Sequence, residues 1–220
     1  MKVPFLDLRV ANRNLKKRLL TRVNKVLTSG KILEGNEQKI FEKKFAKEVK
    51  AKYAVGVSSG SSALFLALKA VGIGPGDEVI TTPFTWIITV NAISSAGAKP
   101  VFVDIDENLN IDPEKIISAI TKKTKAIVPM HVGGKLCNMN KIFKIAKNYK
   151  LKIIEDAAQA FCSSYQNKRA GTYSDASAFS FNPMKILHTY GEAGAVITNN
   201  KKIYNVLLQM RHAGITRKKG

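Results

Sequence analysis

From Tyr53 to Glu155 the chain alternates between two hydrophobic periods, and this alternation narrows the possible folds more than any other feature. Short apolar runs suited to strands fall at Tyr53–Val57, Glu78–Thr82, Val101–Asp104, Ala126–Met130 and Lys152–Glu155. Helical spacing occupies the gaps, over Ala63–Val71, Thr85–Ala96, a segment opened by Asp112-Pro113, and Met139–Asn148. GIGPGD at 72–77 is turn chemistry. Strand and helix in strict turn predict a mostly parallel sheet with helices on both faces. Upstream, residues 3–8 read as an extended arm. A helix follows over Asn12–Leu27, with Leu15, Leu19, Val23, Val26 and Leu27 on one face and Ser29-Gly30 as its stop. A second helix covers Glu37–Val49, with Ile40, Phe41 and Phe45 on one face, and a last one covers Lys201–His212. The expected organisation is an arm and helix over 1–30 and one α/β domain over 31–220.

The chemistry concentrates between Lys152 and Asn199. A strand ends in Glu155-Asp156, and a second, Ala176–Phe181, is followed by Asn182-Pro183-Met184-Lys185. Two strands thus bring a carboxylate and an amine to one sheet edge, and in open α/β sheets ligands bind at the carboxyl edge. Strand alternation turns Asp156 and Glu155 to opposite sides. Asp156 suits either a helix N-cap or a ligand contact. Gly60, Ser61 and Ser62 sit at a strand–turn–helix junction, where backbone amides and hydroxyls can hold an anion. Trp86 lies just past another strand end. His131 and His188 receive no role.

Several motifs, in order, resemble the DegT/DnrJ/StrS family of pyridoxal-phosphate sugar aminotransferases. They are PFLDL near the start, VSSGSSALFLAL at 57–68, TPFTWIITVNAISSAGAKPVFVDID at 82–106, MHVGGKLCNM at 130–139, EDAAQA, and FSF with a lysine and GE-x-G after it. The resemblance covers nearly the whole chain. It implies the large domain of a fold-type I pyridoxal-phosphate enzyme, a parallel-rich sheet between helices, with the family's small C-terminal domain missing. In that family's pattern Lys185 is the cofactor lysine and proton carrier, and Asp156 faces the pyridine nitrogen. Gln159, placed one helical turn past Asp156, bonds the phenolic oxygen. Trp86 stacks on the ring, and Gly60, Ser61, Ser62 and Ser180 hold the phosphate. GEAG stands where the family has GEGG, so Ala193 replaces a glycine, and Phe161-Cys162 replace a common histidine and glycine. The implied activity is transfer of an amino group, from glutamate, to a nucleotide-linked ketosugar in amino-deoxysugar or surface-polysaccharide synthesis by a homodimer. The alternative is a pyridoxal-phosphate-binding fragment without transaminase activity.

The net charge of +20 raises a further alternative, nucleic acid or an anionic membrane as partner. Its distribution argues against both. Lys141, Lys144, Lys147 and Lys150 form a solvated helix face, and within 151–200 four basic residues meet four acidic ones. No run approaches a membrane span, the N-terminus lacks a signal peptide's apolar core, and Cys137 and Cys162 fit no metal or disulfide spacing. The expected location is the cytoplasm, with both thiols reduced and no metal site.

Overall fold

A computed structural model describes residues 3–214. They divide into two compact units, split between Phe41 and Glu42.

In the first unit, α1 (Arg13–Ser29) starts where Asn12 Oδ1 accepts the Leu15 N–H at 2.9 Å. It ends at Gly30, whose φ of 63° places it in the left-handed region that closes helices. The expected helix is therefore present with its expected stop. No α1 residue is buried, and Leu20, Val23 and Leu27 are exposed. Arg22 and Lys25 both pair with Glu37, at the start of α2 (Asn36–Glu48).

The second unit is built on seven strands: β1 (Tyr53–Val57), β2 (Glu78–Thr81), β3 (Lys99–Phe102), β4 (Thr124–Ile127), β5 (Lys152–Asp156), β8 (Ala176–Ser180) and β9 (Gly194–Thr198). A separate hairpin joins β6 (Ser164–Tyr165) to β7 (Lys168–Arg169) through Gln166 and Asn167. Both of these have positive φ, as a tight two-residue turn requires. The sheet order is β1-β9-β8-β5-β4-β2-β3. The pairs β3/β2, β2/β4, β4/β5 and β5/β8 are parallel, whereas β9 runs antiparallel to both β8 and β1. The expected parallel-rich sheet is thus observed, with one reversed strand that the alternation does not reveal. Connecting helices are α3 (Gly60–Ala70), α4 (Ile87–Ser95), α5 (Pro113–Ile116), α6 (Met139–Tyr149) and α7 (Lys201–Arg211). Helix α3 presents Ala63, Leu64, Ala67 and Leu68 to β8 and β9. Small side chains there let helix and sheet approach closely and centre the core on them. Phe45, Phe161, Phe179 and Phe181 form a second cluster, with Phe45 edge-on to Phe179 and Phe181 at 5.1 Å each. No helix among the described residues is long and apolar enough to cross a membrane.

Glu155, fully buried on β5, is the polar centre of this core. It accepts from His131 Nε2 (2.9 Å), Gly171 N (2.9 Å), Tyr173 N (3.0 Å), Ser174 Oγ (2.8 Å) and Ser177 Oγ (3.3 Å). Cys137 N–H points at His131 Nδ1, so that nitrogen is unprotonated and the ring proton sits on Nε2, donated to Glu155. Burial pushes the Glu155 carboxyl up, but the His131 ring, the Gly171 amide and the Ser174 hydroxyl together hold it below its ordinary 4.5. A depressed carboxylate stabilises the fold above the unfolded group's pKa, and that contribution is lost as pH falls through the folded value. Glu155→Ala, which strands His131 and two loop amides, should cost about 3–5 kcal/mol in urea denaturation. A loss under about 1 kcal/mol would show that water replaces the carboxylate without penalty.

Candidate active site

Registry places the first two functional groups. Asp156 is the last residue of β5 and lies opposite Ala178 of β8. Two residues further, Ser180 ends β8, and the chain enters the loop that carries Lys185. Pro183 cannot extend the strand, and the loop is fastened by its own polar groups. Asn182 takes the Lys185 N–H on its carbonyl (2.8 Å) and the Met184 N–H on Oδ1 (3.0 Å), and gives Nδ2 to Glu192 (2.6 Å). Thr189 closes the loop by bonding Phe181 O through both its N–H and its hydroxyl. Among the described residues, no hydrogen bond or ion pair engages Lys185 Nζ. A lysine on a fastened loop with an idle amine is suited to reaction with a ligand.

Helix α3 starts on the adjacent rim. Ser59 caps it, its Oγ accepting the Ser62 N–H at 3.1 Å, while Ala63 N–H returns to Ser59 O. The amides of Gly60 and Ser61 are left without a protein acceptor among the described residues, the usual state of a helix N-terminus that holds an anion. Two close approaches fix this turn. A Cβ on Gly60 would lie 2.6 Å from Ser180 Cβ, and one on Gly194 would lie 2.3 Å from Ser59 O. The glycines at 60 and 194 thus let β8 and β9 pack directly beneath the turn.

A cleft of about 540 Å³ joins these elements. Its lining includes Gly60, Ser61, Trp86, Asp156, Gln159, Ser180 and Lys185, seven of the eight residues singled out from sequence. Ser62 is not among them: its amide and hydroxyl are spent on Ser59 and Ser58, because the helix begins at Gly60 rather than at the expected Ala63. Gln159 also needs a correction. Residues 157–163 are turns and irregular chain, so no helix carries it to the Asp156 face. It reaches the cleft instead because Gly133 N–H holds its Oε1 at 2.8 Å, which leaves Nε2 as a free donor. Trp86 occupies the N-cap position of α4 without a side-chain capping bond and is 66% exposed. His188 packs edge-on to Tyr190 on the exposed loop, and His131 belongs to the buried Glu155 cluster. The sequence reading passed over Thr89, Asn182 and Glu192. Thr89 donates to Asp156 Oδ2 at 2.8 Å, and only its place four residues after Thr85 on the expected helix could have hinted at it.

Asp156 is 3% exposed, yet it lines the cleft. Its oxygens accept from Thr89 Oγ1 and from Ala158 N–H (3.2 Å), so it makes a short local turn rather than a helix cap. Burial pushes its carboxyl pKa up, against the opposing pull of the Thr89 hydroxyl, the Ala158 amide and the Lys185 charge. A desolvated carboxylate facing a cleft favours a bound cation. The cleft lining therefore combines unpartnered amides and hydroxyls, a cation-seeking carboxylate, a free amine and an indole. That donor set fits a phosphorylated pyridine carrying an aldehyde.

Fold and site together define an α/β protein built to hold a charged aromatic cofactor at the carboxyl ends of β5 and β8. The chain belongs to the DegT/DnrJ/EryC1/StrS aminotransferase family, whose profile matches residues 13–220. Spore coat polysaccharide biosynthesis protein SpsC of Bacillus subtilis is 50% identical over 182 residues, 82% of this chain and 46% of that protein. The dTDP-3-amino-3,6-dideoxy-α-D-galactopyranose transaminase of Aneurinibacillus thermoaerophilus is 46% identical, over 98% of this chain and 60% of that one. Among solved structures, S. venezuelae DesV in complex with a ketimine intermediate superposes with a TM-score of 0.95 at 40% identity, over 100% of this chain and 59% of that one. Bacillus subtilis NtdA with bound cofactor PMP gives a TM-score of 0.91 at 36% identity, over 100% and 51%. The chain thus spans 46–60% of the length of these relatives.

Gly194→Ala tests the packing beneath the turn. The added methyl must displace the Ser59–Gly60 backbone, so the variant should lose about 1–3 kcal/mol of stability and most binding of pyridoxal phosphate followed by Trp86 fluorescence. Unchanged binding would mean that the turn does not contact the cofactor.

Proposed function

We propose that the chain forms the cofactor-binding portion of a pyridoxal-phosphate-dependent aminotransferase, which transfers an amino group from glutamate to the keto carbon of a nucleotide-linked sugar. The observation that carries this reading is the convergence of Asp156, Lys185 and the open amides of Gly60 and Ser61 on one cleft. The substrate class is supported by relatives named as transaminases of dTDP-linked aminosugars, as a GDP-perosamine synthase and as a spore coat polysaccharide protein. Surface-polysaccharide or amino-deoxysugar synthesis is the corresponding role.

Bound in the cleft, the cofactor supplies an aldehyde that captures amines and a protonated ring that withdraws electrons from the bond being broken. The chain's residues do the rest. The amides of Gly60 and Ser61, with the Ser61 and Ser180 hydroxyls, hold the phosphate. Asp156 would hold a proton on the ring nitrogen, Gln159 Nε2 would donate to the ring oxygen, and the Trp86 indole would cover one ring face. Lys185 Nζ is the amine that would hold the cofactor's aldehyde and that, once free, would move a proton between donor and cofactor. The cofactor-binding portion in this reading is 31–220, with 1–30 as arm and helix. A homodimer belongs to it too, since exposed Leu20, Val23 and Leu27 offer apolar surface for an assembly to bury. A reducing cytoplasm suits the two free cysteines, Cys137 and Cys162. A second reading is cofactor capture by these residues without turnover.

Borohydride reduction followed by peptide mass mapping tests the first reading. Label should sit on Lys185, and Lys185→Ala should lose it while keeping its unfolding midpoint; label elsewhere would displace the assignment. Amino transfer from glutamate to dTDP-, UDP- and GDP-linked ketosugars then separates the two readings. In an active form, Asp156→Asn should keep the cofactor and raise the barrier by about 3 kcal/mol, roughly a hundredfold in rate. Turnover near the unsubstituted rate would reduce Asp156 to its local turn.

A further inference from the structure

Thr89 joins two walls of the cleft that are far apart in sequence. It is 1% exposed in the first turns of α4, and its hydroxyl donates to Asp156 Oδ2, at the end of β5, at 2.8 Å. Thr85 Oγ1 lies 2.7 Å from the same hydroxyl. An ionised carboxylate only accepts, so the Thr89 proton is committed to Asp156, and Thr85 must be the donor in the second bond. The hydrogen bonds therefore run one way, from half-buried Thr85 through Thr89 to the buried carboxylate. Trp86 lies between the two threonines, at the N-cap of the same helix, and Thr89 N–H closes on Trp86 O at 2.9 Å.

We propose that Thr89, oriented by Thr85, is a positioning residue: it holds the Asp156 carboxylate ionised and in one rotamer, and pins the start of α4 so that Trp86 and Asp156 address the same ligand plane. This rests on the cofactor reading above. The charged and titratable groups around Asp156 are Lys185 on the loop after β8, Glu192 lining the same cleft, and His131 on the segment after β4, with Glu155 next to it on β5 but turned to the other side. Helix α4 brings no charge to it, so Thr89 acts on Asp156 through its hydroxyl alone.

Thr89→Val keeps the shape and removes the hydroxyl; Thr89→Ser keeps the hydroxyl and removes a methyl. The first readout needs no cofactor: carboxyl ¹³C titration of Asp156 in the unliganded chain, assigned with Asp156→Asn. Losing a donor to the charged form raises the carboxyl pKa, so Thr89→Val should shift the midpoint up by about one pH unit. Thr85→Val should move it the same way by about half as much, and Thr89→Ser should leave it in place. The second readout is quenching of Trp86, the sole tryptophan, by pyridoxal phosphate across pH. Thr89→Val should bind about tenfold more weakly, and its binding should fail at a higher pH on the acid side. Loss of packing alone would lower the unfolding midpoint and leave the Asp156 titration where it was. An unshifted Asp156 midpoint in Thr89→Val overturns the proposal; should that variant not fold, an unshifted midpoint in Thr85→Val does so. No quenching in the unsubstituted chain overturns the cofactor reading and this inference with it. Intact quenching with unshifted midpoints overturns this inference alone.

Discussion

The buried carboxylate of Glu155 is the constraint that the rest of the second unit accommodates. A charge in that position is tolerable only if its donors are supplied, and they come from the segment after β4, the turn before β8, and β8 itself. Removing any donor leaves a desolvated charge, so these segments are fixed relative to β5 whatever else they do. The next residue, Asp156, inherits that rigidity on the opposite side of the strand. Two adjacent acids thus divide the work: one ties the scaffold together, and the other keeps acceptor capacity for a ligand.

Much of this was legible in the sequence, for a physical reason. Buried parallel strands give continuous apolar runs, so β2, β4, β5 and β8 were visible, and the short apolar runs at the two edges, β1 and β3, were read as strands from their place between turn and helix signals. β9 was not, because GAVIT is as compatible with a buried helical turn as with a strand, and nothing local reports that it runs antiparallel between β1 and β8. The candidate residues read from sequence that the structure brings to one cleft by a strand end or a helix start are Asp156, Lys185, Gly60 and Ser61. Those misread or missed depend on tertiary contacts. Gln159 is placed by Gly133, Thr89 matters only because β5 ends beside it, and His131 is defined by a carboxylate 24 residues away. Ser62 was misplaced by a single turn, since a serine-rich junction does not announce which serine becomes the cap.

Charge follows the same division. The excess of positive charge lies on exposed helix faces such as that of α6, whose buried side is Met139, Ile142, Ile145 and Ala146. The cleft itself carries one basic side chain, Lys185, against Asp156 and Glu192. In the proposed reading a phosphate there would be met by amides and hydroxyls, which are fixed dipoles and need no counter-charge of their own. The lysine amine is thereby left available for covalent chemistry.

The position of β9 has a consequence for synthesis. β1 sits at the edge of the sheet, with β9 as its only strand neighbour, yet the two are separated by well over a hundred residues of chain. During translation β1 and the start of α3 emerge early and must wait, unpaired, until Thr198 clears the ribosome. The parallel strands from β2 to β5 can pair as they appear, but the amide turn at Gly60 acquires its support only when Gly194 slides beneath Ser59. Pairing of such distant segments is slow, and exposed strand edges are vulnerable in the interval. A nascent chain would therefore gain the support under the Gly60 turn only once β9 has emerged, after the parallel strands β2 to β5 are already available to pair.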